Sequence, residues 1–437
     1  MKLLLISFWF PPTNTIGAVR VGKLAKYLHQ AGHEVRVLAG PEIDDLTLPL
    51  EVPAHLVIRP SGNGGTGGAA PAHSSSSARL LRRVMPNGKP GVAGLESALK
   101  RHYRALRHFP DKRIGWFGPA LAGGRGLLAT WRPDLMIASA PPFTGLIVAA
   151  RLSRESGIPW IADIRDPWAH NPYSTEPGWR LWCDRVLERL TLRSAAALVT
   201  VSPPVTEELR QRYAKPTAMF LNGYSQEDLV APPSRPPSEV LSIVYTGTIY
   251  AGFRDPSVLF AAMALLDERR NRVEVVFYGP SEDDIRPQAE RHGVWDRVSV
   301  RPSVPYRQSL ECQATADVLL LLQHNLISDE GNIPAKFFEY LGARRPILLL
   351  GGETGFMADM IRERQAGFVC NDPAAIAVRL GQWLDELPRG IATLSPAVLQ
   401  GLSRTEQYAA YEAFLQARLQ DGPEPGGVAG TRQKGSI

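Results

Sequence analysis

The sequence predicts an α/β protein built of two parallel-sheet halves. Three observations carry this. Short apolar runs alternate with helix-length segments, the alternation stops near 215–240 and restarts, and the loops after the runs collect glycines, cations and carboxylates. Short, wholly apolar strands separated by helices belong to sheets covered on both faces, which is the setting of parallel strands.

KLLLISF (2–8) reads as the first strand. The loop FPPTNTIGA follows, then a helix expected from about Val19 with Val21, Leu24, Tyr27 and Leu28 on one side, and then the strand EVRVLAG. Residues 61–78, SGNGGTGGAAPAHSSSSA, form a low-complexity insert without core residues. The alternation resumes with DLMIASA (134–140), a helix over 145–156, PWIADI (159–164), a helix near 178–193 and AALVTVS (196–202). It restarts at LSIVYTG (241–247), a helix over 256–268, VEVVFYG (273–279), VSVRPSV (298–304) and DVLLLLQ (317–323). The helix NIPAKFFEYLG, PILLLGG (346–352) and GFVCN (367–371) complete it. The expected division is an N-terminal domain over 1–218, a C-terminal domain over 219–404, a helix over 405–420 returning to the first domain, and a tail at 421–437 too polar to fold.

The 437 residues carry 44% hydrophobic and 21% charged side chains, ordinary for a folded soluble protein. Three scattered cysteines give neither a disulfide framework nor metal-ligand spacing, so a reducing cytoplasmic setting is expected. MKLLLISFWFPP is a short apolar run ended by Pro-Pro without a small-residue cleavage site, a strand rather than a leader. The formal net charge is +6, yet residues 79–113 hold ten Lys or Arg against Glu96 and Asp111, a local excess of +8. That imbalance argues against a uniformly basic nucleic-acid binder. In 79–117, Leu95, Leu99, Tyr103 and Leu106 are spaced as one helix face among cations. Such a face can rest on an anionic membrane or dock on its own domain.

The loops carry the chemistry. In NIPAKFFEYLGARRPILLL, Pro334 suits the first helical position, Gly342 the end, and Lys336 falls in the first turn. A cation there opposes the helix dipole by a few tenths of a kcal/mol, which a bound anion would reverse. Arg20 repeats the anomaly after Gly17, where a small residue lets a ligand approach the helix end. Gly247 closes a strand with Arg254 seven residues on, placed for a phosphate or for Asp255. In DIRDPW, Asp163 and Asp166 either orient sugar hydroxyls or pair with Arg165. No P-loop is present, Ser202 lacks a nucleophile-elbow context, and the aspartates make no metal site.

FWFPPTNTIGAVRVGKLAKYLHQAGHEVRVLAG, IADIRDPW, FLNGYSQEDL and IPAKFFEYLGARRPIL, in that order, resemble the GT-B glycosyltransferases of family four, with bacterial exopolysaccharide and lipopolysaccharide enzymes the nearest in look. The resemblance spans about residues 1–415 apart from the insert. It implies two Rossmann-like domains facing across a cleft, and transfer of a sugar from a UDP- or GDP-linked donor to a glycan or polyprenyl-diphosphate-linked acceptor. It also implies retention of configuration, no cofactor and no required metal. Lys336 and Arg254 would clasp the donor diphosphate, with Gly17, Arg20, Gly247 and Thr248 around it. Glu339 would hold the ribose, and Gly279 would lie near the nucleoside. The family's usual paired glutamates leave Gly331 at the first position here, with Glu330 one residue early, so the backbone of Gly331, Asn332 and Ile333 stands in. No N-domain histidine is evident, and Asp166, then Asp163, take its place as catalytic candidates.

Overall fold

The structure, a computed structural model, describes residues 1–43, 46–60, 100–171, 174, 176–231, 238–249, 254–324 and 331–420. The insert 61–78, residues 79–99 of the basic stretch, PPSRPP at 232–237, Glu330 and the tail 421–437 lie outside the described residues.

In the N-terminal half, Leu3 to Ile6 of β1 (Lys2–Ser7) are wholly buried because helices cover both faces of the sheet. Next come α1 (Ile16–Gln30), β2 (Glu34–Ala39), β3 (Val57–Ile58), a helical stretch α2 (100–107) and α3 (Phe117–Thr130). After these follow β4 (Leu135–Ala140), α4 (Thr144–Ser156), β5 (Trp160–Ile164), α5 (Gly178–Leu192), β6 (Ala197–Thr200), α6 (Pro203–Tyr213) and β7 (Thr217–Met219). The parallel sheet runs β3-β2-β1-β4-β5-β6-β7, a doubly wound order whose direction reverses between β1 and β4.

The C-terminal half repeats the plan. It contains β8 (Leu241–Thr246), α7 (Ser257–Ala264), β9 (Val273–Tyr278), α8 (Glu282–Arg291), β10 (Val298–Arg301) and α9 (Tyr306–Thr315). It continues through β11 (Val318–Leu322), α10 (Ala335–Ala343), β12 (Ile347–Leu350), α11 (Phe356–Glu363), β13 (Gly367–Val369) and α12 (Pro373–Glu386). Its sheet order is β10-β9-β8-β11-β12-β13, also parallel, with the reversal between β8 and β11. Two apolar layers flank each sheet.

The chain crosses between halves twice, at 220–224 and again before α13 (Arg404–Gln420). Tyr408, Tyr411 and Leu415 of α13 are buried in the core layer of β1 and α1, so the C-terminal helix belongs to the N-terminal half. The crossings are pinned together: Tyr224 N–H donates to the Leu402 carbonyl at 3.0 Å, and Arg404 N–H to the Tyr224 carbonyl at 2.7 Å. Between them Gly223 has φ +61°, and a Cβ there would lie 2.7 Å from the Leu402 oxygen.

Element ends differ from expectation where capping decides. Thr15 accepts from Ala18 N–H at 3.2 Å, so α1 begins at Ile16, three residues before Val19. Pro334 is the extended N-cap of α10, which makes Lys336 its second helical residue. The helix passes through Gly342 and ends at Arg344, which takes the left-handed conformation (φ +54°) expected of glycine.

Candidate active site

The loops after β1, β8 and β10 and the start of α10 converge on one cleft of about 210 Å³ between the halves. This is where open α/β sheets bind ligands, at the carboxyl ends of strands beside the reversal of strand order. Arg20 and Asn222 line one wall, while Thr246, Gly247, Lys336 and Glu339 line the other.

Lys336 dominates the electrostatics. It is buried, and its ammonium has no hydrogen-bond partner among the described residues. The nitrogen lies 4.0 Å from the ring centroid of Tyr245, a cation–π contact that only partly replaces lost hydration. Burial, with a further push from Arg254 and against the pull of Glu339, lowers its pKa to about 7. The approach depends on Gly247 (φ +106°), where a Cβ would lie 2.7 Å from the lysine nitrogen. Gly279 (φ +113°) performs the same service for Gly247, whose carbonyl oxygen would be 3.1 Å from a Cβ at 279. Arg254 donates to the Thr248 carbonyl at 3.4 Å, and both side chains reach the surface.

Glu339, one turn beyond Lys336, accepts from Gln313 Nε2 at 3.2 Å; the same amide donates to Thr246 Oγ1 at 3.1 Å. Burial raises the Glu339 carboxyl above the usual carboxylate range, and Gln313, Arg404 and Lys336 oppose the shift. Beneath it, Arg404 donates to Ser225 Oγ at 2.7 Å and Asp228 at 3.3 Å, and Tyr306 donates to the same aspartate at 3.2 Å. Ile333 is buried in the core, so only its backbone is available to the cleft, and Asn332 is half-buried. Gly331 meets the other domain: a Cβ there would lie 3.2 Å from Val205 Cγ2 and 3.7 Å from Ser202 Oγ.

On the N-terminal wall two expectations are corrected. Asp163 is not on the loop but inside β5, fully buried, with Arg20 Nη2 at 3.2 Å and Ser139 Oγ at 2.9 Å. Arg20 also donates to the Phe220 and Leu221 carbonyls and to Asn222 Oδ1 at 3.2–3.4 Å. Both groups are held by protein, so the pair ties α1, β5 and the first crossing together, and Arg20 lines the cleft from that anchored position. Gly17 is likewise filled from inside, since a Cβ there would lie 2.7 Å from Arg165 Nη1. Asp166 is exposed on the loop after β5 and is not among the residues that line the cleft. Sequence reasoning missed Gln313, Tyr306 and Arg404. The polar loop ahead of α9 is the only signal for the first two, and nothing local marks Arg404.

Among the described residues no group of three or more His, Cys, Asp or Glu is placed to hold a metal. No helix among them is long and apolar enough to cross a membrane.

Two facing doubly wound domains with a cationic cleft define the GT-B class. The Glycosyl transferase 4-like domain matches residues 17–224, and Glycosyl transferases group 1 matches residues 235–388. The chain belongs to the GT-B glycosyltransferases of family four. No curated protein matches it in sequence. Among solved structures it is similar to sucrose-phosphate synthase from Thermosynechococcus elongatus (TM-score 0.63, 15% identity, 96% of this chain and 100% of that one). HepE of Anabaena, solved with UDP, aligns at TM-score 0.57 and 13% identity over 95% and 100% of the chains. The lipopolysaccharide outer core galactosyltransferase WaaB aligns at 0.54 and 13% over 96% and 100%. These identities speak for the fold alone.

Proposed function

We propose that this glycosyltransferase takes its sugar from a nucleotide-sugar and passes it, with retention, to a glycan or lipid-linked acceptor in bacterial polysaccharide synthesis. The observation that carries the donor assignment is the buried, unpartnered ammonium of Lys336 in the first turn of α10. A diphosphate supplies the counter-charge that both the lysine and the helix end lack. Arg254 joins it from the loop after β8, and Glu339 accepts from the ribose hydroxyls. As the bond to the sugar breaks, charge grows on the leaving diphosphate, and these fixed cations stabilise it without reorganising. Asp166 orients the acceptor hydroxyl from the loop after β5. No cofactor or metal enters this scheme. HepE, which shares the fold, was solved with UDP and UDP-glucose, in keeping with this reading.

The test is thermal unfolding with UDP, GDP and ADP. Ligand at about 100 times its Kd adds roughly 2.7 kcal/mol, a shift of several degrees. One nucleotide should stabilise the protein and Glu339→Ala should abolish the effect; no shift with any of the three would refute the donor site. Lys336→Ala and Glu339→Ala should each lower turnover more than about tenfold in folded protein. A second reading, epimerisation or hydrolysis of the nucleotide-sugar, draws on a Listeria monocytogenes protein assigned as a UDP-N-acetylglucosamine 2-epimerase that shares the fold (TM-score 0.56). Product formed from donor alone, without acceptor, would favour it.

A further inference from the structure

We propose that the outer face shared by α2 and α5 docks on an anionic lipid surface. On α5, Trp179, Trp182, Val186 and Leu190 are exposed by 37%, 64%, 39% and 57%. Their spacing places them in one stripe along the helix, turned away from the protein. A stripe of that kind is normally the face a helix buries. Here the polarity is largely inverted: both carboxylates of α5, Asp184 and Glu188, are buried, together with Arg180, Thr191 and Leu192.

Both carboxylates are held from inside. Asp184 takes Arg180 Nε at 2.8 Å and Trp168 Nε1 at 3.3 Å. Glu188 takes the Ala169 N–H at 2.8 Å and Arg212 Nη1 at 3.2 Å. What remains outside is Arg185, Arg189 and Arg193 beside the apolar stripe. The adjoining α2 exposes Lys100, Arg101, Arg104 and Arg107 with Tyr103 (62%) and Leu106 (66%). Neither helix exposes an Asp or Glu among its described residues.

The two helices act as one rigid platform. Arg180 donates to the carbonyls of Ala105 (2.7 Å), His108 (3.3 Å) and Pro110, and Trp179 donates to His102 Nδ1 at 2.7 Å while stacking on its ring. Fixed cations alternating with tryptophan, tyrosine and leucine match a bilayer's interface, where arginines meet lipid phosphates and aromatic rings lie at headgroup depth. A second copy of this face is disfavoured because seven cations would oppose seven. A nucleic acid would leave the apolar stripe unused. Asp184 and Glu188 also grip Trp168 and Ala169 of the loop that carries Asp166. The platform is thus fastened to the loop after β5.

The surface does not depend on the transferase reading, because vesicle binding requires neither donor nor turnover. Full-length protein is floated with phosphatidylcholine vesicles, with and without about 30% phosphatidylglycerol, at roughly 0.05 and 0.5 M salt. Binding to the anionic vesicles at low salt, at least about tenfold weaker on neutral ones or at high salt, is the expected result. Trp182→Ala with Leu190→Ala, and separately Arg189→Glu with Arg193→Glu, should each reduce the bound fraction about tenfold while leaving the melting temperature and nucleotide response unchanged. Absence of binding, equal binding to both vesicle types, or unchanged binding in both double variants would overturn the proposal. So would a concentration-dependent dimer abolished by the Trp182 and Leu190 changes.

Discussion

The Lys336 ammonium reaches the Tyr245 ring only by passing over Gly247, whose missing side chain is the space it occupies. Gly247→Ala adds a Cβ 2.7 Å from that nitrogen, at a φ of +106° that alanine resists. The expected result is a loss of nucleotide affinity of at least about tenfold together with a stability loss of about 1–3 kcal/mol. Calorimetric titration and urea unfolding separate the two effects. Unaltered affinity would show that the lysine does not touch the ligand.

Donor binding should depend on pH in a direction set by the same lysine. Its pKa is about 7 without ligand, and a bound diphosphate favours the ammonium, so binding above that pH takes up a proton. Affinity for the nucleotide-sugar should fall about tenfold per pH unit from pH 7 to 9 and level off below pH 7. Lys336→Arg should flatten the profile, because guanidinium keeps its charge throughout. The ligand-free protein shows the opposite trend from this group. The unfolded lysine holds its proton up to its ordinary pKa near 10.5, so between about pH 7 and that value stability rises with pH.

Asp163 and Asp166 should part company on substitution. Asp163→Ala leaves the buried Arg20 without its carboxylate, expected to cost about 3–5 kcal/mol by chemical unfolding. Asp166→Asn, at an exposed position, should change stability by less than about 0.5 kcal/mol yet slow turnover about tenfold or more. The reverse pattern would exchange their roles.

Gly331 tests how closely the halves must approach. A side chain there meets Val205 and Ser202 of the opposite domain. Gly331→Glu should therefore lower turnover about tenfold while changing donor affinity less than about threefold, the mark of impaired closure rather than impaired binding. Equal loss of both would place residue 331 in the donor pocket itself.

Both sheets were legible because each strand is short, apolar and isolated by polar loops; β1, β8, β11 and β12 fall where their Leu, Ile and Val runs put them. Lys336 was legible for a related reason: a cation in a helix's first turn is locally unfavourable, and the conflict shows in one dimension. Arg20 poses the same local conflict but resolves it differently. Its partner lies 143 residues away in β5, and its carbonyl acceptors lie 200 residues on, at the first crossing. No local pattern encodes such pairs. Arg404 was hidden for the same reason, since it acts on Ser225 and Asp228 only because the chain returns beside its own outbound path. The α5 stripe is visible in the sequence as apolar spacing, but spacing cannot say that its carboxylates turn inward.

The pinned double crossing sets a rule for building hybrid enzymes. Because α13 fills the core of the N-terminal half, the C-terminal half is an insertion within the N-terminal one. A graft that exchanges the C-terminal half should replace about 224–403 and keep the recipient's own α13. A simple head-to-tail fusion near residue 220 would import a foreign helix against Leu3, Val21 and Leu28 and leave the recipient's first domain misassembled.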